Sequence, residues 1–397
     1  MDFQFSEKAM QLRKEIRQFV KENIPPDQVP YLEEHDDEEW KFALETSRKL
    51  AEKGWLTISW PKEYGGMGAP EWERAVYLEE VGYWGIPGYG MGVSGVRWVG
   101  PSLILFGSEE LKKKHLPLIS SGSGDGVWCT GYSEPDAGSD FANLQTRAER
   151  KGDEYIVNGQ KVWMSAAHRA RWCWLAVRTN PNAARKHDGI SILIVDMQSK
   201  GVTVRPLISF YGHHIFNEVF FDDVHVPAGN LVGIENKGWG QLMRSLAFER
   251  GNGALVCYGE NKRLLDELIQ YAKETGSIES PPIRQKLADV AMDLEALKVL
   301  AYESVWKMSK GIRLVWEPSR EKALRDMCND QLSRVGSEIL GAYAQVDPVE
   351  TDSKWSKLRG MVERLYYRWT GYASAGGTTD NQRNIIGQFG LHLPKAY

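Results

Sequence analysis

Two serines, Ser133 and Ser139, flank the Pro/Gly turn of the stretch GYSEPDAGSD. Such a turn exposes backbone N–H groups, and with hydroxyls on either side it suits a polar ring edge or phosphate oxygens. Downstream, Trp163 and Ser165 follow a β-rich stretch and set an aromatic wall beside a hydroxyl. On residue types alone, the turn reads equally as a capped loop and Trp163 as a core residue. A second pattern, Gly90-x-Gly92-x-x-Gly95, has the form GxGxxG. That fingerprint holds a pyrophosphate only between an incoming strand and a helix N-terminus. Here a helical stretch and Pro87 come first, so a flexible loop or tight helix packing is expected instead. Cys129, Cys173, Cys257 and Cys328 lie far apart, with no CxxC and no histidine at ligand spacing. Free buried thiols in a reducing compartment are expected, and no metal site. His213-His214 reads as loop polarity.

These residues need a scaffold. A chain of 397 residues can bury a large core and should hold two or three lobes. With 42% hydrophobic and 26% charged residues and a formal charge of -4, it gives no electrostatic reason to expect nucleic acid or an acidic membrane. The start, MDFQFSEKAMQLRKEIRQFV, is no signal peptide: Ala9, Leu12, Ile16, Phe19 and Val20 form one apolar helix face. No apolar run approaches the ~18 residues a membrane span needs, so a cytoplasmic protein is expected. Residues 1–125 alternate helical patterns with Pro/Gly breaks, and the acidic patch Glu33 to Glu39 reads as solvated surface. Residues 126–234 read as strands, including RWCWLAVRT, GISILIVDM and GVTVRPLI, with DDVHVPAGNLVG closing the region on turn residues. Within DEYIVNGQKVWM, Asn158-Gly159 predicts a two-residue hairpin turn. Residues 235–397 carry long amphipathic stretches over about 239–273, 283–311, 319–345 and 353–371, an antiparallel bundle by length and spacing.

Four stretches, GYSEPDAGSDFANLQT, KGDEYIVNGQKVWMS, FFDDVHVPAGNLVG and GGTTDNQRNIIG, together resemble the acyl-CoA dehydrogenase family, in a spacing that spans nearly the whole chain. The resemblance implies an α+β fold: an N-terminal helical lobe, a central β-barrel-like or β-sandwich lobe, and a C-terminal antiparallel four-helix bundle. It implies FAD between the β lobe and the bundle, with an acyl-CoA thioester sandwiched against the flavin. Ser133, Ser139, Trp163, Ser165 and Thr378 are then the residues expected on flavin or acyl-CoA, and an electron-transfer flavoprotein is the implied electron acceptor. The family reaction is α,β-dehydrogenation. A carboxylate removes the α-proton, and the β-hydrogen leaves as hydride to flavin N5. The thioester oxygen needs hydrogen bonds that strengthen as enolate charge develops, and the base is best a desolvated carboxylate with a raised pKa.

In the commonest family pattern the base immediately precedes the GT of the last motif. That position here is Gly376, which can offer only its backbone N–H to the thioester oxygen. A minority of members place the base before an arginine in the first long helix after the β lobe, and Glu249-Arg250 in SLAFERGNGAL matches that pattern. The plain alternative is that Glu249 is an ordinary helix-surface acid. Homomeric members also carry RxxFG and QxxGG motifs that contact the neighbouring subunit's FAD. Here KETGSIESPPIRQKLADV stands where the first belongs, and SEILGAYAQV replaces the second, with Glu338 for the Gln and Ala342 for the second Gly. These departures resemble the heteromeric acyl-CoA dehydrogenases of sterol side-chain breakdown, in which two homologous subunits form a heterotetramer. The chain is thus either the catalytic subunit of such an assembly or an inactive structural partner. Arg97 and Trp98 in SGVRWVGPSLILFG lie on the helix that lines the family's acyl pocket, with aromatics such as Trp84 as further candidates. They point to a bulky acyl group carrying a second polar or acidic group; otherwise Arg97 faces solvent or pairs with a nearby acid.

Overall fold

A computed structural model describes residues 5–25, 37–88, 94–210, 212, 214–346 and 354–394, with 246–252 and 372 as backbone only. The N-terminal helices are α1 (Glu7–Asn23), α2 (Asp37–Glu52), α3 (Glu71–Trp84), α4 (Gly100–Phe106) and α5 (Glu109–Ser120). Seven strands follow: β1 (Trp128–Gly131), β2 (Arg147–Lys151), β3 (Glu154–Lys161), β4 (Trp172–Arg178), β5 (Ile190–Asp196), β6 (Val202–Ile208) and β7 (His214–Pro227). The C-terminal part is helical again, with α6 (Gly238–Thr275), α7 (Pro281–Ser309), α8 (Glu317–Leu340), α9 (Met361–Tyr372) and α10 (Thr379–Ile385). This is the expected α+β order of helical lobe, strands and helical bundle. Among the described residues no helix is long and apolar enough to cross a membrane.

By backbone contacts the chain divides into two units, one of Met1–Pro30, Pro70–Ile86 and Arg250–Tyr397, the other of Tyr31–Ala69 and Pro87–Glu249. The second unit holds the sheet. Its strand order is β1-β4-β2-β3-β7-β6, with β5 paired to β4. Strands β4 and β5 are buried at every position but their last, which is why they read as continuous apolar runs rather than alternations. Their two faces feed different cores. Trp172, Trp174, Ala176, Ile190, Ile192 and Ile194 pack with Leu103, Leu111 and Leu116 of the helices. Cys173, Leu175, Val177, Leu193 and Val195 pack instead with Tyr155, Val157, Val219 and Phe221 of β3 and β7. The sheet therefore curls until one part of it covers another.

Two strand expectations need correction. Asn158-Gly159 is not a hairpin turn: both residues lie inside β3, where the register to β7 slips between Val157 and Gly159. Gly159 has φ 151, and a Cβ there would stand 2.6 Å from Thr146, so the glycine serves a bulge rather than a turn. The hairpin is made one step earlier, as β2 and β3 pair antiparallel from Lys151↔Glu154. Of the stretch DDVHVPAGNLVG, expected to close on turn residues, DDVHVP is the end of the fourteen-residue strand β7, and the chain turns only from Ala228–Asn230 onward.

In the first unit the predicted face of α1 (Ala9, Leu12, Ile16, Phe19, Val20) is buried. Helices α3 and α6 approach closely through glycines: a Cβ on Gly82 would stand 2.0 Å from Val256 O, and one on Gly259 2.4 Å from Glu79 O. No other residue permits that backbone distance.

Candidate active site

The hydroxyl-bearing loop begins where β1 ends. Glu134 and Ala137 exchange both backbone hydrogen bonds at 3.1 Å, closing the Pro135-Asp136 turn. The Glu134 carboxylate is buried and accepts from Gln145 N at 2.6 Å, Thr146 N at 2.9 Å and Lys161 Nζ at 2.8 Å. Lys161, wholly buried at the end of β3, also donates to Tyr132 O at 3.0 Å. Burial pushes the Glu134 pKa up, but the Lys161 charge and the N–H donors outweigh it and hold the carboxyl below its ordinary range. Sequence reasoning missed this pair. Its only signal was an acid in a Pro/Gly turn and a lysine inside an apolar strand end.

The pair brings two candidate segments together. Just past Lys161, Val162 N donates to Ser133 O at 2.9 Å, so Ser133 lies beside the Trp163–Ser165 segment. Trp163 has φ 61 and is 61% exposed, its ring edge-on to Phe216 at 5.8 Å. It is no core residue. A left-handed tryptophan costs roughly 1–3 kcal/mol and persists only where its surroundings over-determine it. Here Met164 N donates to Asn217 O and Ala166 N to Ile215 O, both at 3.0 Å. Ser165 and Ser139 are exposed and Ser133 is half-buried. An exposed indole held in a costly conformation, in a segment bonded to Ser133 O and followed by the exposed Ser165, fits a flat polar heteroaromatic ring such as a flavin.

Gly376 and Thr378 belong to the other unit. Gly376 and Gly377 have φ 68 and 94, and the buried Gln382 donates from Nε2 to both of their carbonyls, at 3.0 and 2.9 Å. Thr378 caps α10, its hydroxyl accepting from Asn381 N at 3.2 Å. Thr379 Oγ1 donates to Asp326 Oδ2 at 3.0 Å; Lys322 donates to that same carboxylate and, at 2.9 Å, to Ala373 O. A Cβ on Gly376 would meet nothing within 4 Å. The glycine is required by backbone angle, not by space.

Glu249 and Arg250 fall on α6, but their side chains lie outside the described residues, as do Gly90, Gly92, His213 and Glu33 to Asp36. Of the acidic patch, Asp37 pairs with Arg169 at 2.7 Å. Gly95 packs on Trp128, where a Cβ would stand 3.1 Å from the ring. Arg97 and Trp98 lie in a wide π-type helical turn, Ser94–Val99. Arg97 is half-buried, and Trp98 packs on the core beneath α4 and α5. Trp84 donates from Nε1 to Glu80 at 2.9 Å, which ties it to α3. The four cysteines are buried and free. Among the described residues no group of three His, Cys, Asp or Glu could hold a metal.

The acyl-CoA dehydrogenase N-terminal, middle and C-terminal domain models match residues 6–123, 129–224 and 236–391. The chain belongs to the acyl-CoA dehydrogenase family, flavin-dependent oxidoreductases. It is 33% identical over 409 residues to acyl-CoA dehydrogenase FadE26 of Mycobacterium tuberculosis, with 100% of each chain covered. Among solved structures it resembles the Tcur3481-Tcur3483 steroid ACAD, with TM-score 0.90, 32% identity and 100% of both chains covered. The ChsE4-ChsE5 complex from Mycobacterium tuberculosis matches with TM-score 0.87, 32% identity and 100% of both chains.

Proposed function

We propose that the chain is the catalytic subunit of a heteromeric, cytoplasmic acyl-CoA dehydrogenase. It desaturates a bulky alicyclic, aryl or steroid-like acyl-CoA thioester to the 2-enoyl-CoA. FAD is the cofactor, and when bound it takes the β-hydrogen as hydride. Glu249 removes the α-proton, and Arg250 beside it faces the same chemistry. The Gly376 N–H donates to the thioester oxygen as enolate charge builds there. Trp163, Ser133, Ser139, Ser165 and Thr378 hold the flavin and the acyl-CoA. Arg97 and Trp98 read the acyl group. An electron-transfer flavoprotein receives the electrons. The domains are 1–125, 126–234 and 235–397, in line with the spans of the three family models.

The observation that carries this reading is Gly376. The common base position is a glycine with φ 68, while the alternative position on α6 holds an acid, Glu249. A heteromer is supported by what replaces the trans flavin motifs. Lys286, in the stretch where RxxFG belongs, pairs with Glu338, at the Gln of QxxGG, at 2.5 Å. Two neighbours of known structure are named as pairs of different chains, one of them a steroid ACAD. The competing reading, an inactive partner subunit, draws on the same glycine and the same lost motifs. Native mass and flavin stoichiometry of the purified assembly, with turnover of a steroid-type acyl-CoA, separate the two. The catalytic reading requires two homologous chains, fewer flavins than subunits, and activity that depends on this chain. A homotetramer with one FAD per chain refutes the heteromer; turnover unaffected by Glu249 points to the inactive partner.

A further inference from the structure

Behind the Trp163–Ser165 segment lies a polar cluster that no part of the proposed mechanism uses. Asn217 is completely buried at the start of β7. Its Nδ2 donates to Met164 O at 3.0 Å and contacts His168 Nδ1 at 3.1 Å; its Oδ1 meets His214 Nε2 at 2.8 Å. Its backbone carbonyl accepts from Met164 N at 3.0 Å. The two imidazoles stack, with centroids 3.9 Å apart and 21° between planes.

One proton arrangement satisfies every contact. The two amide hydrogens go to Met164 O and to an unprotonated His168 Nδ1, and Oδ1 accepts from a protonated His214 Nε2. Both histidines can then be neutral, and the carboxamide has one orientation only. Met164, gripped at both its N–H and its C=O, is the residue between Trp163 and Ser165. Trp163 (φ 61) and Ala166 (φ 54) on either side of that grip have left-handed backbones. The cluster is therefore built to fix a conformation that the local chain disfavours.

We infer that Asn217, oriented by His168 and His214, is the positioning residue that sets the Trp163–Ser165 segment against the flavin. Asn217 touches neither flavin nor substrate in this account and acts through Met164. The inference rests on the flavin assignment made above for Trp163 and Ser165.

The test uses the native assembly and FAD itself. Apo-protein is titrated with FAD, and visible circular dichroism of the bound flavin is recorded for wild type, Asn217→Leu, Asn217→Asp, His214→Leu and His214→Gln. A Val177→Ala variant in the same core controls for general loosening. Asn217→Leu and the isosteric Asn217→Asp, which cannot donate to Met164 O, should weaken FAD binding by roughly tenfold or more and alter the flavin dichroism. His214→Gln keeps a donor and should stay near wild type, whereas His214→Leu should follow the Asn217 variants. Val177→Ala should lower Tm with little change in FAD affinity. Wild-type FAD affinity and dichroism in both Asn217 variants overturns the inference, as does an equal loss in Val177→Ala at matched Tm. A wild-type assembly that takes up no FAD instead brings down the flavin assignment, and this inference with it.

Discussion

Lys161 Nζ stands 2.8 Å from Glu134 Oε1, and both side chains are buried. This one ion pair joins the loop that carries Ser133 and Ser139 to the strand end that carries Trp163 and Ser165. Removing one partner leaves an uncompensated buried charge, which typically costs about 3–5 kcal/mol. Lys161→Met should therefore lower unfolding free energy by that order in urea titrations. Lys161→Met/Glu134→Gln should recover part of the loss. Strict additivity of the single variants would mean the pair is not coupled.

His115 predicts an acid sensitivity. Its ring is fully buried between Trp128 and Trp172, and neither ring nitrogen has a hydrogen-bond partner among the described residues. Burial, with a smaller push from Lys114, lowers its pKa from 6.5 to about 4. Between those values the unfolded chain binds a proton that the folded chain refuses, so stability rises with pH. The contribution is complete above the unfolded value and is lost as pH falls from about 6.5 toward 4, a change of about 3 kcal/mol. Denaturation midpoints from pH 4 to 7 should show a shallower slope in His115→Phe than in wild type.

The Gly376 turn predicts a backbone penalty without a clash. With φ 68 and no atom near its Cβ position, Gly376→Ala should cost roughly 1–2 kcal/mol, the left-handed cost of an L-residue. At Gly377 a Cβ would also stand 2.8 Å from Gln382 Nε2, so Gly377→Ala should cost more. The comparison is made on Tm of the two variants. Equal, negligible losses would show that the turn relaxes freely.

Much of this architecture was legible because burial leaves a pattern. The apolar face of α1, the doubly buried runs of β4 and β5, and the long amphipathic helices α6, α7 and α8 were all readable from residue spacing. Asn158-Gly159 misled because a glycine needed for a bulge looks, in isolation, like one needed for a turn. Strand β7 was obscured because its Asp222-Asp223 pair reads as a turn, although Asp223, with φ 48, takes that conformation inside a continuing strand. At the candidate site, Ser133 and Trp163 could be proposed from type and motif. Glu134, Lys161 and Asn217 could not, because what marks them is burial combined with partners distant in sequence.

Arg97 carries the substrate prediction. On the proposed reading Arg97 faces the acyl group, and its planar fork suits a carboxylate. If it reads a second acid on the substrate, Arg97→Ala should weaken a carboxylated acyl-CoA by roughly 2–5 kcal/mol and leave a matched monoacyl thioester largely unaffected. Steady-state kcat/KM on the two substrates gives the answer. Equal losses on both would remove Arg97 from substrate recognition.

The central claim is that Glu249 is the base in an enzyme whose common base position is glycine. Glu249→Gln preserves size and polarity but cannot accept the α-proton. Stopped-flow reduction of the bound flavin by a steroid-type acyl-CoA, in the native assembly, is the direct measurement. The account predicts FAD content and acyl-CoA binding close to wild type, with the reduction rate lowered by roughly 10²-fold or more. Reduction at the wild-type rate in Glu249→Gln would contradict it.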